Sequence, residues 1–440
     1  MILSGWGRFP KFDTNVITPR DVASLRSAIQ QRPAIARGNG RSYGDCAVSK
    51  ATTIMMQRFN RMEAFDPVTG VLTAEAGVLL DDIIKVFLPR GWFPYVTPGT
   101  KYVTLGGMIA ADVHGKNHHS EGSFGRYVEW IEIIDAEGNL RRCSAKVDSD
   151  LFSWTIGGMG LSGIILRAAV RLRPVTTGFI RTSTLPASNL EETIRIFEDH
   201  QDSTYSVAWI DCLAGDVNAG RAIVSLGEHA NLDDLPPSKR QKPFATKHRP
   251  KLPIPFDFPT FTLNSLSIRV FNSLYYWRGR RKAGTSLVDW DSFFYPLDAI
   301  LGWNRIYGRR GFIQFQAVLP PDCAIQGLRA LLEEIRHAQT GSFLAVLKKL
   351  GPQASRFSFP MEGYTLALDF PVSQRVVKLL DRLDKIVIAH GGRFYLAKDS
   401  RMSAKTLRQS DPRVGAFHHM RQVSGRRFSW QSGQSERLDI

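Results

Sequence analysis

Short apolar runs alternate with brief helical patterns from Asn15 to about Val175. Ala34-Ile35-Ala36, Thr52 to Met55, Gly70 to Ala74 and Trp130 to Ile134 are such runs, which reads as a strand-rich pattern. Arg173-Pro174 reads as a boundary, and beyond it the pattern is more regular. The strand-like Phe312 to Leu319 precedes a helix with Ile325, Leu328, Leu332 and Ile335 on one face, and then comes the strand-like Phe343 to Leu347. The order recurs: Tyr364 to Phe370, a helix bearing Val376, Leu379, Leu380, Leu383 and Val387 closed by Gly391-Gly392, and Arg393 to Ala397. Each unit ends its second strand on a lysine, Lys348 or Lys398, where a sheet presents charge to a cleft. The pattern predicts an α+β fold.

A chain of 440 residues exceeds what one core usually supports, so two domains are expected. The four cysteines are scattered without a CxxC pair, which argues against a zinc site and a disulfide framework and for a reducing compartment. Neither a leader pattern nor a membrane-spanning apolar run is present in the sequence, so a soluble or peripherally bound protein is expected. The net charge of +16 favours anionic partners, whether nucleic acid, lipid headgroups or phosphorylated small molecules. Much of it sits in Lys239 to Lys251 and Arg278 to Lys282. The first run lies in a proline-rich stretch, Leu235 to Pro259, with Phe244, Phe256 and Phe258 and no strand or helix period. It reads as a mobile loop carrying the basic and aromatic groups that a membrane surface would use. A solvated insertion without a partner explains the same composition.

Candidate chemistry concentrates in two glycine-rich blocks. Thr104 to His119 interleaves Gly106-Gly107 with His114, Lys116, His118 and His119, and Arg37 to Asp45 carries Gly38, Gly40 and Gly44 between arginines. Without a Cβ, glycine lets backbone amides approach a ligand, and the nearby cations favour an anionic one. Together the blocks predict a site for a phosphorylated cofactor. Gly158-Met-Gly160-Leu-Ser-Gly163 matches GxGxxG, yet the apolar run follows it from Ile164 rather than preceding it, so it is no dinucleotide fingerprint of the doubly wound type. Gly115-Lys116 is followed by Asn117, which excludes a P-loop. His114 and His118 are four apart, but the glycine and asparagine between them disfavour a helix that would bring both onto one ligand, so no metal is expected.

The order of motifs resembles FAD-dependent oxidoreductases of the vanillyl-alcohol-oxidase type. The motifs are Arg37-Gly38-Asn39-Gly40-Arg41-Ser42-Tyr43-Gly44-Asp45, Thr97-Pro98-Gly99-Thr100, Thr104 with Gly106-Gly107, the His114 to His119 block, Gly157 to Gly160, and Tyr395-Leu-Ala-Lys398. Within that group the chain is most similar to the flavoprotein subunits of decaprenylphosphoryl-β-D-ribose 2'-epimerases, from Gly5 to about Phe417. The resemblance implies an FAD domain from residues 1–178, a substrate domain from 179–392 built on an antiparallel sheet with a basic loop at about 235–260, and a return segment from 393–440. It implies noncovalent FAD wrapped by residues 37–43, by Thr97 to Gly107 and by Gly158, Gly160, Gly163 and Ile164, with Tyr395 alongside.

The implied reaction oxidises the 2'-hydroxyl of a polyprenyl-phosphoryl ribose, and a separate NADH-dependent short-chain reductase completes the epimerisation. Lys398 is the first choice for handling the hydroxyl proton, with His114 and Lys116 beside it. Gln314, Gln316 and Lys348 match sugar-facing positions, while Trp209 and Tyr307 are candidate apolar walls. Ala367 stands where mycobacterial relatives carry a cysteine. The tail after Met420 departs from the family pattern. The expected place is cytoplasmic, peripheral at the inner membrane face, with no nucleic-acid partner. A sugar-alcohol or aldonolactone oxidase that uses oxygen remains the alternative.

Overall fold

In the computed structural model, residues 1–246, 251–259, 262–342 and 344–440 are described. Lys247 to Pro250 of the basic run and Phe343 of the predicted strand lie outside them.

The strand-rich first part folds into two sheets. Asn15–Ile17, Thr52–Met55 and Ala34–Arg37 form a small parallel sheet with Thr52–Met55 in the middle. Leu140–Ser144, Val128–Ile134, Ile164–Pro174, Val71–Glu75 and Met62–Asp66 pair antiparallel in that order, and Trp92–Pro94 joins the far end of Ile164–Pro174. The chain changes sheets just after this long strand, because Phe179–Ala187 already belongs to an eight-stranded antiparallel sheet.

That large sheet positions the site. Its order is Gly284–Asp289, Phe179–Ala187, Ala222–His229, Tyr205–Ile210, Ala345–Leu350, Gly363–Pro371, Phe312–Leu319 and Arg393–Phe394. Helices Pro321–His337 and Gln374–Ala389 pack on one face, burying Leu328, Leu332 and Ile335 from the first and Val376, Leu379, Leu380, Leu383 and Val387 from the second. Each such side chain contributes about 2 kcal/mol of hydrophobic stabilisation. Successive strand residues point to opposite faces. With one face covered by these two helices, the other presents Gln314, Gln316, Val346, Lys348 and Ala367, which register pairs across neighbouring strands.

The predicted strand ends differ from the fold. Lys348 lies inside Ala345–Leu350 rather than at its end, and Arg393–Phe394 stops before Lys398. The cause is local: Tyr395 N–H donates to the Gln316 carbonyl at 3.0 Å, and the chain then turns so that Lys398 N–H returns to the Tyr395 carbonyl at 2.9 Å. In the proline-rich stretch, Pro237–Arg240 forms a helical turn beside the buried Leu235, and Leu252–Pro253 pairs parallel with Ile300–Leu301. Elements of two to four residues are too short to leave a period in the sequence.

The divergent tail is packed. Trp430 is fully buried, Gln431 N–H donates to the Ala34 carbonyl at 2.9 Å, and the helix Gly433–Leu438 is capped by Ser432. Arg437 reaches Asp45 at 2.7 Å and Asp399 at 2.9 Å.

Candidate active site

A cavity of about 740 Å³ lies between the glycine-rich segments and the face of the large sheet opposite helices Pro321–His337 and Gln374–Ala389. Gly38, Asn39, Arg41, Ser42, Tyr43, Thr97, Pro98, Gly99, Thr100, Thr104, Gly106, Gly107, Gly160 and Gly163 line one side. On this side the backbone does the work. Thr104 caps the short helix Leu105–Ala110 through Gly107 N–H, and the Asn39 side chain donates to the Tyr102 carbonyl at 2.7 Å, fixing the two blocks against each other. The N–H groups of Asn39, Gly40, Arg41 and Ser42 donate to no other described protein atom. A Cβ at Gly99 would meet nothing within 4 Å, and one at Gly107 only the Thr104 hydroxyl. Arg41 stacks over Trp6 at 4.2 Å, and its buried Nε lacks a hydrogen-bond partner, as does the Tyr102 hydroxyl. Free amides, an unspent guanidinium and open space over glycine fit a large cofactor with phosphates.

The facing side is built from side chains. His114, Lys116, Trp209, Gln314, Gln316, Lys348, Ala367, Tyr395 and Lys398 all line the cavity. Lys398 Nζ sits 3.8 Å above the centre of the Tyr43 ring. Burial lowers its pKa, the buried Asp369 opposes that shift, and Lys348 adds to it. Asp369 is itself held by Gln314, its partner across the strands. Burial brings Lys348 down to about 8. Burial and then Lys348 bring Lys116 down to about 7. Lys116 donates to the Phe293 carbonyl and lies 4.1 Å above that ring, so a cation held here is only partly satisfied by protein.

The protonation of His114 follows from its neighbours. The Thr365 hydroxyl donates to the Ala317 carbonyl at 2.9 Å, so it accepts from Gln316 Nε2 at 3.2 Å. The second Gln316 N–H then points at His114 Nε2, 3.0 Å away, which makes that nitrogen the acceptor and puts the proton on Nδ1. Nδ1 is buried without a partner. Burial first, then Lys348, His118 and Lys398, push the imidazole well below its ordinary pKa, so it stays neutral. The ring packs between Phe359 and Tyr395, at 5.4 and 5.1 Å.

Several expected residues stand behind the wall. Arg37 spends its guanidinium on the carbonyls of Ser4 at 2.8 Å and Ala47 at 3.3 Å, beneath the turn at Gly40. Gly158 N–H closes a turn onto the Thr155 carbonyl. Ile164 points into the core with Leu25 and Ile134, and the alternation of the strand brings its neighbour Ile165 to the cavity instead. Tyr307 stacks on Phe312 at 4.4 Å and does not line the cavity.

Sequence reading misses Asp298, which accepts from Thr100 Oγ1 at 2.8 Å and Lys101 N–H at 2.9 Å and so holds the Thr97 to Thr100 turn, and it misses Asp369. A carboxylate in an otherwise apolar strand, Tyr364 to Phe370, is the available signal for Asp369. Asp298 leaves none, since its partners are almost 200 residues away.

Comparison with known proteins agrees with this geometry. An FAD binding domain model matches residues 14–144. Decaprenylphosphoryl-beta-D-ribose oxidase of Mycolicibacterium smegmatis is 36% identical over 452 residues, spanning 100% of this chain and 97% of that protein. An uncharacterized protein in the mprA 5' region of Streptomyces coelicolor is 30% identical over 376 residues, covering 82% of this chain and all of that one. L-gulonolactone oxidase of Bos taurus is 28% identical over 189 residues, covering 42% of this chain and 41% of that enzyme. The chain is an FAD-dependent oxidoreductase that acts on a CH–OH group, and it belongs to the family of decaprenylphosphoryl-β-D-ribose oxidase.

Proposed function

We propose that this protein oxidises the 2'-hydroxyl of a polyprenyl-phosphoryl ribose to the 2'-keto sugar, and that a separate NADH-dependent reductase completes epimerisation to the arabinose form. The observation that carries this reading is the facing of partner-poor backbone amides by Lys116, Lys348 and Lys398 across one cavity. Bound noncovalently along the glycine side, FAD supplies the hydride acceptor. The residues of the chain supply the rest. Lys398, lowered by burial, takes the hydroxyl proton at Nζ as the carbon is oxidised. Lys116 and Lys348 hold the sugar and its phosphate, and Gln314 and Gln316 orient the ring from the sheet. The neutral His114 offers its Nδ1–H to the sugar or cofactor without adding charge. Trp209 forms an apolar wall.

Anaerobic bleaching of the flavin by a panel of polyprenyl-phosphoryl sugars and free polyols tests the proposal. Phosphoryl ribose should reduce the flavin fastest, with the reduced form stable in air and reoxidised by the keto product. Faster reduction by a free polyol or aldonolactone, followed by rapid reoxidation in oxygen, would replace it with the oxidase reading. Acid precipitation should release the flavin into the supernatant.

A further inference from the structure

We propose that the helix Ser265–Arg281, with the basic residues at its C-terminal end, docks on an anionic lipid surface and sets the cavity mouth against that surface. This rests on the lipid-linked substrate proposed above, and it assigns the face that would meet the bilayer.

The helix is built inside out. Its inner side buries Ile268 and Asn272, whose amide donates to Asp211 at 2.7 Å, and lays Tyr275 on Trp209 at 4.5 Å. Leu266, Val270, Leu274 and Trp277 follow at intervals of four, four and three, which places them on one stripe. That stripe faces outward, with each residue between 51 and 71% exposed. A surface helix normally turns its apolar stripe to the core. An outward stripe indicates a partner that removes it from water.

Charge identifies the partner. From Asn264 to Val288, the helix and the residues that follow it, the chain carries Arg269, Arg278, Arg280, Arg281 and Lys282 and no aspartate or glutamate. Arg278, Arg280, Arg281 and Lys282 close the helix, and Arg281 lies over the Trp277 ring at 3.8 Å. Basic groups beside outward tryptophan and leucine match a helix lying in a headgroup layer of negative lipids. Two copies pairing through this face would bring their cations together, which disfavours self-association. Among the described residues no helix is long and apolar enough to cross a membrane, so the contact is peripheral.

Continuity with the cavity gives the face its purpose. Tyr275 and Lys282 belong to the helix end and line the cavity while remaining exposed. Leu301 also lines it, and both Leu301 and Leu252, on the strand paired with it, are exposed. A polyprenyl chain leaving a bilayer here passes along apolar groups while its phosphate moves toward the lysines.

The test is cosedimentation of the full-length FAD-loaded protein with phosphatidylcholine vesicles, with and without phosphatidylglycerol. Binding to the anionic vesicles should be about tenfold or more tighter and should weaken with salt. The double variant Leu274→Glu, Trp277→Glu should lose about tenfold or more of that binding. Its melting temperature, flavin absorbance and reduction by a short-isoprenoid phosphoryl ribose should stay unchanged, since neither residue lines the cavity. An Arg278→Glu, Arg280→Glu variant should lose the preference for anionic vesicles. Absence of wild-type binding, or equal binding by both variants, would overturn the proposal. So would a concentration-dependent dimer abolished by the first variant with vesicle binding intact. If no polyprenyl-phosphoryl sugar bleaches the flavin yet the vesicle results hold, the substrate reading fails and the docking face stands.

Discussion

On one side of the cavity Gly99 and Gly107 leave open space near the partner-free amides of Asn39 to Ser42, and on the other Lys116, Lys348 and Lys398 crowd the same volume with long side chains. The glycine side recognises by shape and fixed dipoles, which titrate at no ordinary pH. The sheet side recognises by charge, and its charge is adjustable because burial has moved all three lysines below their usual 10.5. A binding surface for a permanent cofactor gains from invariance, whereas a surface that must move a proton gains from a group poised to lose one. The same cavity thus divides holding from chemistry.

That division is tested most sharply at Lys398. Lys398→Ala should slow flavin reduction by about 10³-fold while leaving flavin binding intact, as seen in anaerobic stopped-flow absorbance. In the wild type the rate should rise with pH as the amine deprotonates, with a midpoint well below 10.5, and this rise should vanish in the variant. An unchanged rate would remove Lys398 from the reaction.

The two sides are clamped by the tail, because Arg437 joins Asp45, from the glycine block, to Asp399, next to Lys398. Arg437→Met removes the shared cation of two carboxylates, leaving Asp45 without an ion pair, and should cost about 3 kcal/mol by denaturant titration. A loss within error would show that the walls hold together without it.

On the glycine side alone, Gly99→Leu should fold normally, since the added Cβ meets nothing, yet weaken FAD binding by about tenfold or more, measured by fluorescence on titrating the apoprotein. Equal affinity would place the cofactor elsewhere.

The smallest effect concerns the neutral imidazoles behind the lysines. Gly351 N–H donates to His118 Nδ1 at 3.1 Å, so Nε2–H serves Gln353 at 2.8 Å, and burial lowers the ring to about 4. Below 6.5 the unfolded chain takes up this proton and the folded one does not, so stability falls as the pH falls. Each pH unit should cost about 1 kcal/mol until about 4. His118→Asn should flatten this slope in melts across that range, and an unflattened slope would assign it to other groups.

How much is legible in the sequence follows from how local each signal is. The alternation Gln314, Gln316 is enough to place both residues on one face, and helix periodicity marks which side of the sheet is covered. Glycine blocks announce the amide-lined side because close approach is written in single residues. Strand ends are not legible: the apolar pattern puts Lys348 and Lys398 at them, yet the pairing that fixes where a strand stops lies in another segment. The motif points to Ile164 where Ile165 lines the cavity, since the phase of a fully apolar strand is set by its neighbours. The Arg437 clamp is invisible for the same reason, its partner Asp45 being 392 residues away.

The close seam between the two sides has a consequence for assembly. Gly44 lies so near the Asp399 carbonyl that a Cβ would stand 2.0 Å from it, and Tyr43 N–H donates to the Ala397 carbonyl at 3.0 Å. Any side chain at Gly44 would push these two segments apart, so the halves of the cavity can close on each other only with glycine at this position.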